Sequence, residues 1–297
     1  HNHFATQLVE VGYARYAYLN NALIRNRALG NFKTLVKEIT LDPAMLNYLN
    51  GQYNTKTAPD ENYARELQEL FTLGKGPNSQ YTEDDVKAAA RVLTGYRING
   101  QAQGFFDSTR HDTTKKQFSS FFGNTIIGGK SGAAGATELD ELLTMIFASD
   151  EVALYICRRI YRYFVYYEID AATESNVIVP LAAIFRQNNY EIKPVLAALF
   201  SSEHFFDPLN RGCVIKSPVD VTLYIENNSF KIDHQELDFA QSFLGEPQGK
   251  FGIHQLSFCY NFFSENSLVL TQLPAFYDSN SFTNNTFSIS GSFDIGR

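Results

Sequence analysis

The sequence predicts a mainly α-helical protein, folded as an irregular bundle of several short helices. Apolar residues recur three and four positions apart through most of the first two thirds of the chain, which is the period of an amphipathic helix. Residues that cap or stop helices divide these windows, and brief polar loops join them. Short helices separated by brief loops are typical of an all-α bundle.

Cap and stop residues place the individual helices. The first window runs toward Gly30, a stop residue, and Asp42 is followed by Pro43, which suits the first position of a helix. Thr82 precedes three acidic residues, which favour the positive N-terminal end of a helix. The predicted helices lie near residues 7–28, 61–73, 83–95, 138–148, 151–166 and 191–205.

A segment with a different pattern interrupts the helices. Gly and Phe become frequent near residues 97–130, and short alternating runs such as KQFSSFFGNTII predict a small β-hairpin or a loop insertion. Late in the chain no period is sustained, which predicts an irregular C-terminal tail. We therefore expect a single helical domain over residues 1–245, with helical halves 1–96 and 137–225 joined by the Phe- and Gly-rich segment, and a tail over 246–297.

The composition excludes several classes of protein. With 44% hydrophobic and 19% charged residues, the 297-residue chain has a globular composition. Its net charge of -7 argues against a nucleic-acid-binding protein, and no apolar run is long enough for a transmembrane helix. Cys157, Cys213 and Cys259 are widely spaced, which argues against a zinc ribbon or a disulfide framework and favours buried thiols.

The first polar cluster lies in the stretch DENYARELQEL. On a helix, Asn62, Glu66 and Glu69 share one face, and Arg65 borders it. Carboxylates and an amide on one stripe can bind a cation or act as acid and base. The alternative is a solvated face on which Glu61 pairs with Arg65 one turn later, and such faces are common.

Two further clusters contain histidine. His1 and His3 in HNHF face apart if the stretch is helical, but they share a face and can ligate one metal if it is extended. In RHDTTKKQF, His111 and Asp112 precede two lysines, and Asp can orient an imidazole, bind a metal or cap a turn. The chain has no GxSxG, P-loop or GxGxxG signature, so the common hydrolase, NTPase and dinucleotide interpretations lack support.

These clusters, in this order, resemble the bacterial family called domain of unknown function 1800. The matching stretches include HNHFAT at 1–6, LGNFKTLVKEITLDPAMLNYLNG at 29–51, APDENYARELQELFTLGKG at 58–76 and YTEDDVKAAARVLTGY at 81–96. The resemblance implies an exported protein in the periplasm, at the outer-membrane surface or outside the cell, with an export signal upstream of His1. It also implies that HNHF continues an earlier helix. The expected partner is either a protein of the family of unknown function numbered 1501, which is often encoded beside this one, or an extracellular polymer.

Two classes of function remain open from the sequence. As an enzyme, the protein would be a metal-assisted or acid/base hydrolase of an extracellular polymer such as a glycan. Its predicted catalytic residues are Glu66, His111 and Asp112, the predicted ligands of a divalent metal ion are His3, Glu66 and His111, and the predicted binding residues are His3, Asn62, Arg65, Glu69 and Arg91. As a binding or assembly module, which we favour slightly, it would use the same charges as a buried network. An open cleft beside the charges would indicate the enzyme, and a sealed interior the module.

Overall fold

Helices form most of the part of the chain that the computed structural model describes, residues 2–210, which confirms the predicted fold class. The helices are α1 (Leu8–Val11), α2 (Ala14–Arg27), α3 (Phe32–Thr40), α4 (Pro43–Tyr48), α5 (Asn62–Glu66), α6 (Glu83–Val92), α7 (Glu138–Phe147), α8 (Asp150–Phe164), α9 (Ala171–Thr173), α10 (Val179–Gln187), α11 (Ile192–Phe200) and α12 (Glu203–Phe206). The predicted tail and the domain boundary near residue 245 lie outside the described residues.

Two small antiparallel hairpins occupy the segment in which the sequence predicted a hairpin or a loop. Strand β1 (Tyr96–Ile98) pairs with β2 (Gly104–Phe106), and β3 (Lys116–Gln117) pairs with β4 (Ile126–Ile127). Their short strands are joined by one-turn 3₁₀ helices and loops. The insertion therefore consists of irregular chain that two hairpins hold against the helices.

The predicted helix over residues 7–28 is divided in two. Gly12 has φ of 72°, a left-handed conformation that glycine adopts easily, and it ends α1. Tyr13 is extended, with φ of -134°, before α2 begins. A single glycine thus ends the helix within a stretch whose apolar residues keep the helical spacing. The spacing alone did not indicate this break.

Two helices contain a wider turn. The helix that begins with α5 continues as a π-helix over Leu67–Thr72, and a second π segment, Glu174–Ile178, lies between α9 and α10. In the second case Pro180 explains the change, because proline has no N–H to donate to the carbonyl group of Asn176. Segments of π-helix occur frequently at functional sites, so the first one bears on the polar face of α5.

Helix α7 lies near the centre of the described fold. It packs against α3, α6 and α8, and strand β4 also contacts it. Its inner face buries Leu139, Leu142 and Ile146 almost completely. At about 1.5–3 kcal/mol for each fully buried side chain of this size, the face fixes the position of α7 and of the acidic residue at its start.

Two predictions made from single residues are confirmed at this level. Thr82 caps α6 through a capping box with Asp85, as the acids after Thr82 indicated. Cys157 is a buried thiol on α8, and its burial raises its pKa to about 12. Cys213 and Cys259 lie outside the described residues. None of the helices between residues 2 and 210 has the length and hydropathy of a membrane span.

Candidate functional site

His111 is held in a fixed orientation beneath the first hairpin. It follows a one-turn 3₁₀ helix, and its Nδ1–H donates to the carbonyl oxygen of Thr94 at 2.9 Å. The hydroxyl of Thr94 donates to the carbonyl oxygen of Arg91 at 2.7 Å and accepts the backbone N–H of Asp112 at 2.9 Å. The Phe106 ring packs edge-on against the imidazole, with centroids 5.0 Å apart. These contacts engage Nδ1, and the other ring nitrogen of His111, Nε2, is buried and faces the interior.

Glu138, the first residue of α7, faces that nitrogen. Its Oε1 lies 3.1 Å from His111 Nε2, although Nε2 is not aligned for a hydrogen bond, and it accepts the backbone N–H of Lys130 at 2.7 Å. Its Oε2 accepts a hydrogen bond from Lys116 Nζ at 2.5 Å. The Lys116 ammonium also donates to the carbonyl oxygen of Asp112. A buried carboxylate thus lies between an imidazole and an ammonium group.

Asp112 joins the same cluster through Arg91, which lies on α6. Arg91 Nε donates to Asp112 at 2.7 Å, and the guanidinium also donates to the carbonyl oxygen of Lys115 at 3.0 Å. Burial would raise the pKa of Asp112, but the hydrogen bonds from Arg91 and from Thr114 outweigh it and lower the pKa to about 2. Asp112 therefore carries a charge throughout the physiological range, and it also caps a turn at Thr114.

We call His111, Asp112, Lys116, Glu138 and Arg91 the motif network. Its centre is closed to water, because His111 exposes 1% of its surface while Lys116 and Glu138 expose none. Lys116 offsets Glu138, and Arg91 offsets Asp112, as buried charges require. A network of this kind fixes the hairpin segment to α6 and α7, and within residues 2–210 its centre is sealed from solvent.

His3 lies in a different environment, among aromatic rings. Its ring packs on Phe4 with centroids 4.6 Å apart, and it also approaches Phe32, Phe71 and Tyr155. Its Nε2–H donates to the carbonyl oxygen of Phe71 at 3.0 Å. The chain around His3 is not helical, so the expectation that HNHF continues a helix is wrong for the described residues. His3 packs inward in a non-helical segment and fastens it to the π-helix.

Acidification should test the burial of His3. Burial, the largest cause, lowers its pKa from 6.5 to about 4, and the positive charge of Arg159 adds to the shift. Between these values the unfolded chain binds a proton that the folded chain excludes, so stability falls as the pH drops through this window. The loss approaches about 3 kcal/mol at its limit. Denaturant unfolding from pH 7 to pH 4 measures it.

The matched variant is His3→Gln, which keeps an N–H for the Phe71 carbonyl group and removes the titration. The difference in unfolding free energy between the two proteins should shrink steadily from pH 7 to pH 4. Equal pH slopes for wild type and variant would show that His3 is not buried in its neutral form.

The polar face of α5 is mostly paired with neighbours at the surface. Arg65 binds Glu83 at 2.7 Å and Glu61 at 3.1 Å, which confirms the predicted pair between Glu61 and Arg65. Glu69 binds Lys75 at 3.1 Å. Asn62 is the exposed first residue of the helix, and the side chain of Asp60 accepts its backbone N–H, as expected for a cap. This face matches the solvated alternative, with the exception of one residue.

Glu66 is that exception. It is half-buried, and none of the hydrogen bonds and ion pairs among residues 2–210 involves its side chain. Desolvation raises its pKa, and the neighbouring charge of Glu69 raises it further, while Arg65 and Lys75 oppose the shift. Tyr81 lies close to the same charges, and burial together with Glu69 raises its pKa to about 12. The face thus contains one carboxylate that resists ionisation beside another that is ion-paired.

The predicted convergence of Glu66, His3 and His111 does not occur. His3 donates to the backbone carbonyl group of Phe71 and lies among aromatic rings, whereas the charges that act on Glu66 are those of Glu69, Arg65 and Lys75. His111 is held by Thr94 and Glu138, beyond α6. Among residues 2–210, no group of three or more His, Cys, Asp or Glu side chains lies so that it could hold a metal ion. The three predicted metal ligands therefore occupy three separate environments.

Because Glu66 has no cation to lose, its replacement should not destabilise the fold. Because the pKa of Glu66 is raised in the folded chain, its ionised form slightly destabilises the fold at pH 7. Glu66→Gln should therefore change the unfolding free energy at pH 7 by less than about 1 kcal/mol, and the expected change is an increase. Chemical denaturation measures it. A loss of about 3 kcal/mol, as for a broken buried pair, would mean that Glu66 has a partner after all.

The sequence indicated His111, Asp112 and Arg91 but missed the residue at the centre of the network. Glu138 is one of three acidic residues in the first turn of a helix, where acids are common for their effect on the helix dipole. Lys116 was visible only as one of two lysines after Asp112. The spacing of the apolar residues could have indicated that Glu138 is buried. It lies one residue before Leu139 and four before Leu142, which places it on the apolar side of α7.

Comparisons with known proteins give one match. Residues 1–247 match the family described as Protein of unknown function (DUF1800). No curated protein and no solved structure matches the chain. The matched region contains every residue of the motif network, as well as His3 and the polar face of α5. The chain therefore belongs to the DUF1800 family of proteins of unknown function.

Proposed function

We propose that the chain is a binding or assembly module of the bacterial cell envelope, exported from the cytoplasm, and that its partner is a protein. The closed centre of the motif network is the observation that carries the proposal. His111, Lys116 and Glu138 are the chemically most versatile side chains of the motifs, and they expose at most 1% of their surface. Because a general acid or base must come within hydrogen-bond reach of its substrate, these three groups suit a structural role.

A structural role is consistent with what the network joins. Arg91 belongs to α6, Glu138 to α7 and Lys116 to β3, so the network ties two helices to the second hairpin. Both carboxylates of the network are paired with cations, although Nε2 of His111 has no aligned hydrogen bond, and such paired buried charges hold the surrounding segments in one arrangement. A rigid arrangement of loops and hairpins is what a binding surface needs, because less ordering is then required when a partner binds.

Exposed aromatic side chains provide the second support. Tyr13 and Tyr18 on the N-terminal side, and Tyr163, Tyr167 and Phe206 farther along the chain, each expose more than half of their surface. Large aromatic residues are enriched at protein interfaces, since they bury much area and lose little conformational entropy. Single exposed rings are ordinary, so these five support the proposal only as aromatic area that a partner would bury.

The family resemblance names the partner to test. Isothermal titration of the full chain with the purified protein of the family numbered 1501, encoded beside it, should give saturable heat of binding. The motif variant Asp112→Asn should retain that binding as long as it remains folded. An absence of binding to this protein, together with hydrolysis of an extracellular polymer by the wild-type chain, would overturn the proposal.

Acid/base hydrolysis is a second candidate, favoured by one observation. Glu66 is a half-buried carboxylate with a raised pKa beside the ion-paired Glu69, and two carboxylates in unlike surroundings are the arrangement that glycoside hydrolysis uses. Release of reducing ends from bacterial cell-wall glycans tests it. Activity in the wild type that disappears in Glu66→Gln and remains in Glu10→Gln, the same change at an exposed glutamate of α1, would establish this candidate. Equal activity in wild type and Glu66→Gln would remove Glu66 from consideration.

A further inference from the structure

Strand β4 has one edge that faces away from its partner strand. Within residues 2–210, β4 pairs only with β3, with Lys116 opposite Ile127 and Gln117 opposite Ile126. In the next pair of the same register, the N–H of Phe118 donates to the carbonyl oxygen of Thr125 at 2.9 Å. Antiparallel pairs alternate between hydrogen-bonded and non-hydrogen-bonded pairs. Ile126 is therefore in a non-hydrogen-bonded pair, and its N–H and C=O point to the open edge.

A groove runs along that edge. It has a volume of about 570 Å3 and lies between the strand and the outer face of α7. Thr125, Ile126 and Ile127 line it on the strand side, and Thr144, Met145 and Ala148 line it on the helix side. An apolar floor with backbone donors and acceptors along one wall is suited to an extended peptide, which offers complementary backbone groups and alternating side chains.

The charges around the groove are already paired. Lys130 and Glu141 form an ion pair at one end, and Asp140 binds Lys37 at 2.5 Å. The rim therefore offers little net charge to an ionic ligand. Since the unpaired groups of the groove are the backbone N–H and C=O of Ile126, a neutral extended peptide complements it better than an anion or a cation does.

The edge strand is short, at two residues, but it lacks the charged residues and the proline that protect other exposed strands. Natural proteins block such edges with charged residues, with proline or with a covering element. Residues 125–128 contain neither charge nor proline, and Ile126 exposes 54% of its surface. An apolar edge without charge or proline beside a groove suits the addition of a short extended segment.

From these observations we propose that the groove between β4 and α7 binds an extended apolar segment of a partner protein, which adds to the Ile126 edge as a third strand. This inference rests on the proposed binding function and names the chemistry of its partner. Ile126 would exchange two backbone hydrogen bonds with the incoming segment. Met145 and Ala148 would contact every second side chain of that segment.

Selection from a random library of 12-residue peptides displayed on phage, against the full chain, provides the probe. A selected peptide is synthesised, and its affinity is compared for two matched helix-surface variants. Ala148→Arg fills the groove and should weaken binding more than about tenfold. Ala172→Arg makes the same change at an exposed alanine on α9, outside the groove, and should leave the affinity within about twofold.

Amide hydrogen exchange on the wild-type chain makes the test independent of how the variants fold. The bound peptide should slow exchange at Ile126, because that N–H gains an acceptor, and it should leave the amide of Gln117 unchanged. Selection that yields no peptide above an unrelated control protein, or peptides that bind Ala148→Arg as well as wild type, would overturn the inference.

The same variants separate this inference from the proposed function. If the protein encoded beside the chain binds wild type and Ala148→Arg equally, the binding function stands and the groove is not its site. If that protein binds neither but a selected peptide protects Ile126, the groove is a peptide site and the named partner is wrong.

Discussion

Replacement of Glu138 by glutamine is expected to lower the free energy of unfolding by about 3–5 kcal/mol, because it removes one partner of a buried ion pair. The side chain is completely buried and its Oε2 is 2.5 Å from Lys116 Nζ. In Glu138→Gln the ammonium of Lys116 stays in the interior and keeps only neutral acceptors, such as the Asp112 carbonyl oxygen. Urea denaturation of both proteins, monitored by circular dichroism, measures the loss.

Glu141 provides the matched control, one helical turn along the same helix. It also binds a lysine, Lys130, but its side chain is 41% exposed. Glu141→Gln should therefore cost less than about 1 kcal/mol, as other surface ion pairs do. Equal losses for Glu138→Gln and Glu141→Gln would show that the motif network is not the buried structural centre of the fold.

Gly129→Ala is expected to cost about 3 kcal/mol, the second large effect. A Cβ atom at this position would lie 1.9 Å from the carbonyl oxygen of Thr113 and 2.7 Å from the carbonyl carbon of Thr114. Both contacts are to backbone, which cannot rotate away as a side chain can, so the chain must shift. The shift would move the segment after Asp112 and thereby the motif network. Thermal and urea unfolding both report it.

The neighbouring residue provides the control for this prediction. Gly128 has open space around the position of an added Cβ and needs no left-handed conformation. Gly128→Ala should therefore be neutral or slightly stabilising, because alanine reduces the freedom of the unfolded chain. If Gly128→Ala and Gly129→Ala lower the unfolding free energy equally, the cause is the loss of glycine flexibility and not the close approach of residue 129 to Thr113.

Periodicity and caps predicted most helices because both are local properties of the sequence. Thr82 and the acidic residues after it predicted where α6 begins, and the helix begins within one residue of that position. Asp42 caps α4, as the following Pro43 suggested. The break at Gly12 was missed, because an isolated glycine can lie within a helix or end it. The π segment after Glu66 was also not predictable, since it depends on how the buried face packs.

The candidate site was predicted less well, for a physical reason. Helix periodicity shows which residues share a face, but it does not show which other segment that face meets. Arg91, His111 and Asp112 do meet, and the sequence placed them together. Glu66 lies beside Glu69 and Lys75 while His3 lies among aromatic rings, and Glu138 was not among the residues predicted from the sequence. Tertiary contacts decide these points, and a single sequence does not contain them explicitly.

The most direct test of the central claim, that the motif network holds the fold and binding occurs elsewhere, is a binding measurement on a network variant. Lys116→Met/Glu138→Gln removes both buried charges together, which is far less costly than removing one. Isothermal titration with the protein encoded beside the chain, below both melting temperatures, compares this variant with the wild type. The account predicts a dissociation constant within about twofold of the wild-type value. A variant with a native circular dichroism spectrum that no longer binds would contradict it.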